Sequence, residues 1–320
     1  MLSVLRAGGI AGRVALGVAG VAAAGALLSG CGVSQLSAAA FVGGTEIPVG
    51  QVHSQLVSVL HKEDPGARAQ LAASHQLDDL SRKLLTLRIQ HQLLEIAAQR
   101  AGVSVDQTQV DKLIAEVGGA EAASKGTIYD ATTYRERAKD KLLLMALGRA
   151  ALHTSAVTVD YTTATTRTAA KQRVDELAAA GSKRARQMID DDVHAGKSAE
   201  LGKRIVAADD PAFATTLAFG VAEGTVVGFQ PDDTKPWFIM VVKNRTDRGA
   251  QASQYAPQLD QIEPQLLEAI GLRQLTAISN EVGVRLNPRY GLWDPSSLQV
   301  VPDQNEIVGF LAPLRAAPGA

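Results

Sequence analysis

LSRKLLTLRIQHQLLEIAAQRAGVSVDQTQVDKLI, from Leu80 to Ile114, is the stretch whose reading decides the fold. At 3.6 residues per turn, Leu80, Leu84, Leu87 and Leu94 line one side of a helix, and Leu85, Ile89, Leu93 and Ile96 line nearly the opposite side. Lys83 and Gln90 separate the stripes on one flank, Arg88 and Glu95 on the other. A helix with two apolar stripes belongs between other elements. Gly102 ends it as a C′ glycine does. Ser104, with Gln107 three residues on, has the capping-box spacing that opens a second helix carrying Val110, Leu113 and Ile114 inward.

The surrounding chain has 320 residues, enough for one large or two modest domains with true cores. Only 4% of residues are aromatic, so that core must come from Ala, Leu, Val and Ile. The 32 basic and 33 acidic residues nearly cancel and no basic tract occurs, which argues against nucleic acid as a partner. The single cysteine excludes an intramolecular disulfide framework and a cysteine-rich zinc site.

Residues 1–30 read as a targeting segment. They hold Arg6 and Arg13, no acid, and an apolar run from Val14 to Leu28. The run is shorter than the roughly 20 residues a membrane-spanning helix needs. It ends in Leu28-Ser29-Gly30-Cys31, a pattern similar to a bacterial lipobox. That resemblance implies cleavage before Cys31, lipidation of its thiol, and attachment of the mature chain to the cell membrane outside the cytoplasm. Two acyl chains give stable anchorage where one is marginal.

Gly32 to Ala40 is small and polar and reads as a tether. Phe41 to Ile47 reads as strand, Gly43-Gly44 turn and return strand, followed by a helix over Val49–Leu60. After the two helices of the opening stretch, 118–129 reads as a loop and Thr132–Leu152 as a third helix. Val42-Gly43-Gly44-Thr45-Glu46-Ile47, together with Leu87-Arg88-Ile89, Gln92-Leu93-Leu94, Ala97, Gly102-Val103, Val105, Val110 and Ile114, resembles the N-terminal domain of SurA-type periplasmic chaperones. The likeness covers about residues 40–152.

Farther on, Val157–Thr163 reads as a strand, Thr168–Ala180 and Ser182–His194 as helices split by Gly181, and Lys235–Lys243 as the strongest strand. With Phe219 and Glu223-Gly224-Thr225-Val226, this order is similar to a parvulin-type prolyl isomerase module. Parvulins place histidines in the first and last strands of that module and carry a GGDLG loop; this chain has neither. A last helix from Ser253 to about Val282, started or kinked by Pro264, precedes Asn287-Pro288-Arg289-Tyr290-Gly291-Leu292-Trp293, which resembles the ending of some SurA-N-like lipoproteins.

The expected fold is therefore mostly α: a SurA-like helical chaperone domain closed by a C-terminal helix, with a small α+β parvulin-like module inserted. The expected divisions are a signal peptide at 1–30, a tether at 31–40, the helical domain at 41–153 and the module at 154–248. A returning helix with its tail follows at 249–300, then a loose end at 301–320.

Chemistry is sparse in the sequence. His53, His61, His75, His91, His153 and His194 form no recognised metal spacing, and Asp190-Asp191-Asp192 beside His194 reads as solvated surface. No nucleophile elbow or phosphate loop occurs, so no catalytic residue, metal or cofactor is expected. The candidate polypeptide-binding residues are Phe213, Phe219, Phe229, Trp237, Phe238 and Met240, which gather large apolar side chains in an aromatic-poor chain. The expected function is ATP-independent binding of unfolded or secreted polypeptides. An active peptidyl-prolyl isomerase and a non-enzymatic envelope scaffold are the alternatives.

Overall fold

A computed structural model describes residues 37–63, 65–74, 76–249 and 258–316. Leu28, Ser29, Gly30 and Cys31 lie outside the described residues. The first described strand, β1 (Ala38–Val42), turns at Gly43-Gly44 into β2 (Thr45–Pro48), and β7 (Val284–Leu286) pairs antiparallel with β1 from the far end of the chain. Gly43 has φ 60°, the left-handed conformation such a turn requires. Ala38, Ala39 and Ala40, expected within the tether, are buried at 0–2% exposure.

Helix α1 (Val49–Leu60) follows Pro48, then α2 (Pro65–Ala73) and the long α3 (Gln76–Ala101). Of the two predicted stripes of α3, Leu84, Leu85, Ile89, Leu93 and Leu94 are buried at 0–1% exposure, and Leu80, Leu87 and Ile96 are half-buried. The next helix, α4 (Gln107–Glu116), has its capping box two residues later than predicted. Asp106 accepts from the Thr108 amide while Gln109 accepts from the Asp106 amide. A carboxylate one turn before Val110 thus takes the place given to Ser104. The segment 118–129, read as a loop, contains the short α5 (Ala120–Ser124). Helix α6 (Ala131–Thr154) opens on a second box, where Asp130 and Thr133 exchange hydrogen bonds.

The chain then builds a five-stranded antiparallel sheet in the order β10-β5-β6-β3-β4. Its strands are β3 (Ala156–Ala164), β4 (Glu200–Val206), β5 (Thr225–Phe229), β6 (Trp237–Thr246) and β10 (Phe310–Pro313). Helix α7 (Arg167–His194) covers one face with Val174, Leu177, Ala185 and Ile189 against Trp237, Ile239 and Val241. Gly181, at φ 71° and ψ 167°, breaks α7 into the two predicted helices. The other face carries Val157, Val159, Met240 and Val242 against Phe219, Leu267 and Ile270.

Helix α8 (Pro264–Val282) starts at Pro264, later than the predicted Ser253; Leu259–Gln261 forms a separate 3₁₀ turn. Proline at N1 sacrifices no hydrogen bond, which explains why the helix begins there. Helices α6 and α8 join the two cores. Leu143, Leu144, Leu147 and Leu275 pack in the helical core, and Ala151, Leu152, Leu267 and Ile270 pack under the sheet. Their axes meet at glycines. A Cβ on Gly148 would lie 2.0 Å from the Leu267 carbonyl oxygen, and one on Gly271 would lie 1.9 Å from that of Leu144.

Strands β8 (Leu292–Asp294) and β9 (Gln299–Val301) form a hairpin, and β10 joins the main sheet beside β5. Of the end expected to be loose, 301–320, the described residues 301–316 thus complete β9 and supply a further strand, β10. Asp294, fully buried, accepts from the Ser296 amide and hydroxyl at 2.8 and 2.6 Å and from the Ser297 hydroxyl at 2.8 Å. Arg273 of α8 donates to the carbonyls of Thr215 and Ser296, both at 2.8 Å. Burial lowers this guanidinium to about 10, so it stays charged at neutral pH.

Candidate functional site

Five of the six large apolar residues singled out from the sequence share one face of the main sheet. Phe229 and Phe238 are cross-strand partners stacked at 6.1 Å, and Phe213 lies 6.3 Å from both Phe229 and Phe219. Met240 follows two residues along β6 on the same side. Tyr161 of β3 extends the row at 6.1 Å from Phe238, with the Lys203 ammonium 5.5 Å from its ring. Trp237 projects from the opposite face, stacked on Phe310 at 5.3 Å. Phe219, Phe229, Trp237 and Met240 are at most 7% exposed, so both faces of β6 serve as core. Phe213 and Phe238 alone of the six remain partly open.

The apolar stripes of α3 are likewise consumed by packing. Large apolar side chains exposed among the described residues are Val117, Val193, Leu292 and Val308, scattered over four different segments. A surface for apolar chain must therefore be a concavity, where side chains are recessed rather than bare.

Such a concavity runs between α3, α6, α8 and the end of β6. It is an open groove of about 650 Å³. Ala97 and Ala101 come from α3, Leu147 and Ala150 from α6, Ala277 and Ile278 from α8. Small residues make the groove: alanine on three converging helices leaves room that leucine would fill. Arg100, Arg245 and Arg248 stand among its walls. Arg100 is clamped by both carboxylate oxygens of Glu281 at 2.6 and 3.0 Å, which holds the exposed Glu281 carboxyl below its usual range. Arg245 is fixed by Asp247 at 2.8 Å and Gln274 at 2.7 Å. The arrangement offers an apolar floor whose bordering Arg100 and Arg245 are already paired within the protein, which suits contact with the apolar side chains of an extended segment.

A second, polar site lies between α3 and α6. Arg88 donates to Glu136 at 2.7 Å and Gln55 at 3.2 Å, His91 Nδ1 lies 2.9 Å from Asp140, and Lys139 donates to Glu95 at 2.8 Å. Arg137 is paired with Glu268 of α8. The Asp140 hydrogen bond raises the His91 pKa above its ordinary value, against the opposing effect of burial. A cleft of about 40 Å³ beside His91 and Asp140 has room for little more than waters or one ion.

No protein-family profile matches the chain, and no curated protein matches it. Solved structures similar to it at low level include two foldases. One is the foldase protein PrsA from Streptococcus pneumoniae str. Canada MDR_19A, 14% identical, covering 75% of this chain and 89% of its own, with a TM-score of 0.22. The other is the foldase protein PrsA from Lactococcus lactis, 12% identical, covering 82% of this chain and 97% of its own, with a TM-score of 0.26. Likeness at that level carries no argument about what this chain does.

Sequence reading missed the groove because alanine carries no motif signal; only the fold brings Ala97, Ala150 and Ala277 together. It also missed the polar site, although His91 and Glu95 stand four residues apart on one helix. Asp192, read as solvated, is 5% exposed and held by Arg173 at 2.6 Å and Lys197 at 2.7 Å. Among the described residues no helix is long and apolar enough to cross a membrane.

Proposed function

We propose that this protein is a lipid-anchored, extracytoplasmic chaperone that binds unfolded or secreted polypeptides without ATP. In this reading residues 1–30 are removed and Cys31 is acylated. Residues 41–153 and 249–300 form the helical body, and 154–248 forms a parvulin-like module. The groove between α3, α6 and α8 is the observation that carries the reading. It is an open concavity lined by Ala97, Ala101, Ala150 and Ala277 with Leu147 and Ile278, and bordered by Arg100 and Arg245, whose geometry is fixed by ion pairs within the protein. A preformed surface lowers the ordering cost of binding. Shallow apolar contact without a deep specificity pocket suits weak capture of many sequences.

The isomerase reading has less support, since β3 and β6 contain no histidine and the aromatic row between them is largely core.

Light scattering of an unrelated, chemically unfolded protein tests the proposal. The chain is expected to suppress aggregation at near-stoichiometric amounts. Ala150→Glu, at an exposed groove position, is expected to weaken suppression several-fold while leaving the fold intact. A chain that suppresses nothing would support the scaffold reading instead. A proline test peptide should isomerise no faster than in buffer, and a clear acceleration would replace the chaperone reading with the enzymatic one.

A further inference from the structure

The polar site between α3 and α6 contains three side chains whose chemistry matches a borderline divalent ion. His91 and Glu95 lie four residues apart on one face of α3, and Asp140 faces them from α6. One ligand atom from each lies within 4.8 Å of the other two. The set is an imidazole and two carboxylates from two helices, not a run of surface acids. We propose that His91, Glu95 and Asp140 bind a zinc-class divalent cation, which would tie α3 to α6 and revise the expectation that the chain holds no metal.

The geometry needs only local adjustment. Zinc bonds of roughly 2.0–2.2 Å place tetrahedral ligand atoms about 3.4 Å apart. His91 Nδ1 and Asp140 Oδ1, hydrogen-bonded at 2.9 Å, must part by about 0.5 Å and give up the proton between them, so zinc binding here releases a proton. Glu95 lies within 4.8 Å of the other ligand atoms, so it must close by up to about 1.4 Å and release Lys139. That ion pair is 44–45% exposed on both sides, a class worth about 0–1 kcal/mol, so its loss is a small obstacle. The adjoining cleft of about 40 Å³ leaves space for a coordinated water in the fourth position. The surrounding charges are favourable too. Glu136 and Glu268 already pair with Arg88 and Arg137, leaving Lys139 as the one lysine or arginine ion-paired to the ligand carboxylates. One imidazole with oxygen ligands selects zinc-class ions over magnesium or calcium, which take oxygen alone.

The test uses the untagged, metal-stripped chain titrated calorimetrically with Zn²⁺ and, separately, with Mg²⁺. One Zn²⁺ per chain is expected to bind, with a rise of several degrees in thermal midpoint and no comparable response to Mg²⁺. Glu95→Gln and His91→Gln should each weaken Zn²⁺ binding at least tenfold and abolish the rise. Glu95 is half exposed, so Glu95→Gln is expected to fold even if the histidine variant does not. Absence of zinc binding, zinc binding unchanged in both variants, or an equal response to Mg²⁺ would overturn the proposal.

Discussion

Asp192 sits near the end of α7, with its carboxylate 7% exposed between Arg173 and Lys197. Arg173 belongs to the first half of α7 and also donates to the Met188 carbonyl at 3.1 Å, so this cluster clasps the two halves across the Gly181 break. Burial works to raise the Asp192 pKa. Hydrogen bonds from Lys197 and Arg173 outweigh it and leave the value below that of an ordinary carboxylate. A carboxylate with a depressed folded-state pKa contributes stability above its unfolded value, and that contribution is lost as pH falls through the folded value. Asp192→Asn should therefore cost about 1–3 kcal/mol at pH 7, because two cations lose their partner. Its penalty relative to wild type should shrink as pH falls below about 4, the unfolded carboxylate range. Thermal melts of both chains from pH 7 to pH 2 give the comparison; parallel curves would show that Asp192 is not the clasp.

At the scale of elements, the decisive contact is the crossing of α6 and α8. Gly148 and Gly271 let each backbone touch the other's carbonyl, at a distance no Cβ tolerates. Gly148→Ala and Gly271→Ala should each cost about 3 kcal/mol, since separating the helices also loosens the leucines on both sides of the crossing. The double variant should cost less than the sum, because one separation relieves both clashes. Gly50→Ala in α1 is the control. Nothing lies within 4 Å of its added Cβ, and helix propensity favours alanine, by less in this first turn than the roughly 0.8–1.0 kcal/mol of a helix interior. Chemical denaturation of the four variants beside the wild type measures all of these.

The helices were legible because two stripes on α3 and the Gly102 and Gly181 breaks obey a 3.6-residue period that local sequence carries. Strand β4 was not: Glu200-Leu201-Gly202-Lys203-Arg204 is an exposed edge with glycine at φ 70°, so it lacks the apolar alternation of a buried strand. The glycine crossing was hidden for the opposite reason, since a helical glycine shows its purpose only beside its partner helix.

Across the whole molecule, the last thirty-odd described residues join both cores. Strand β7 pairs with β1, and the Asn287 amide donates to the Ala39 carbonyl at 2.9 Å, which closes the helical half. Strand β10 pairs with β5, the Leu314 amide donates to Gly224 at 2.7 Å, and the Arg315 amide donates to Ala178 of α7 at 2.8 Å. Phe310 stacks on Trp237, and the Arg167 guanidinium lies 4.9 and 5.7 Å from the two rings. The segment reads as a tail because Pro302, Gly309 and Pro313 interrupt every period, yet a strand of four residues needs only a waiting edge. Truncation after Val301 should leave the helical half folded, because β7, β8 and β9 remain. It should strip the cover from Trp237, which is 6% exposed in the intact chain. The expected signature is a red-shifted tryptophan emission and a lower, broader melt, with far-UV ellipticity at 222 nm nearly retained. Trp293, the other tryptophan, donates to the Ser279 hydroxyl at 2.7 Å and reports on the helical half. Replacing it with phenylalanine assigns the shift to Trp237. If the truncated chain keeps its emission and its melting profile, β10 is not what secures the sheet, and α7 alone must hold that face closed.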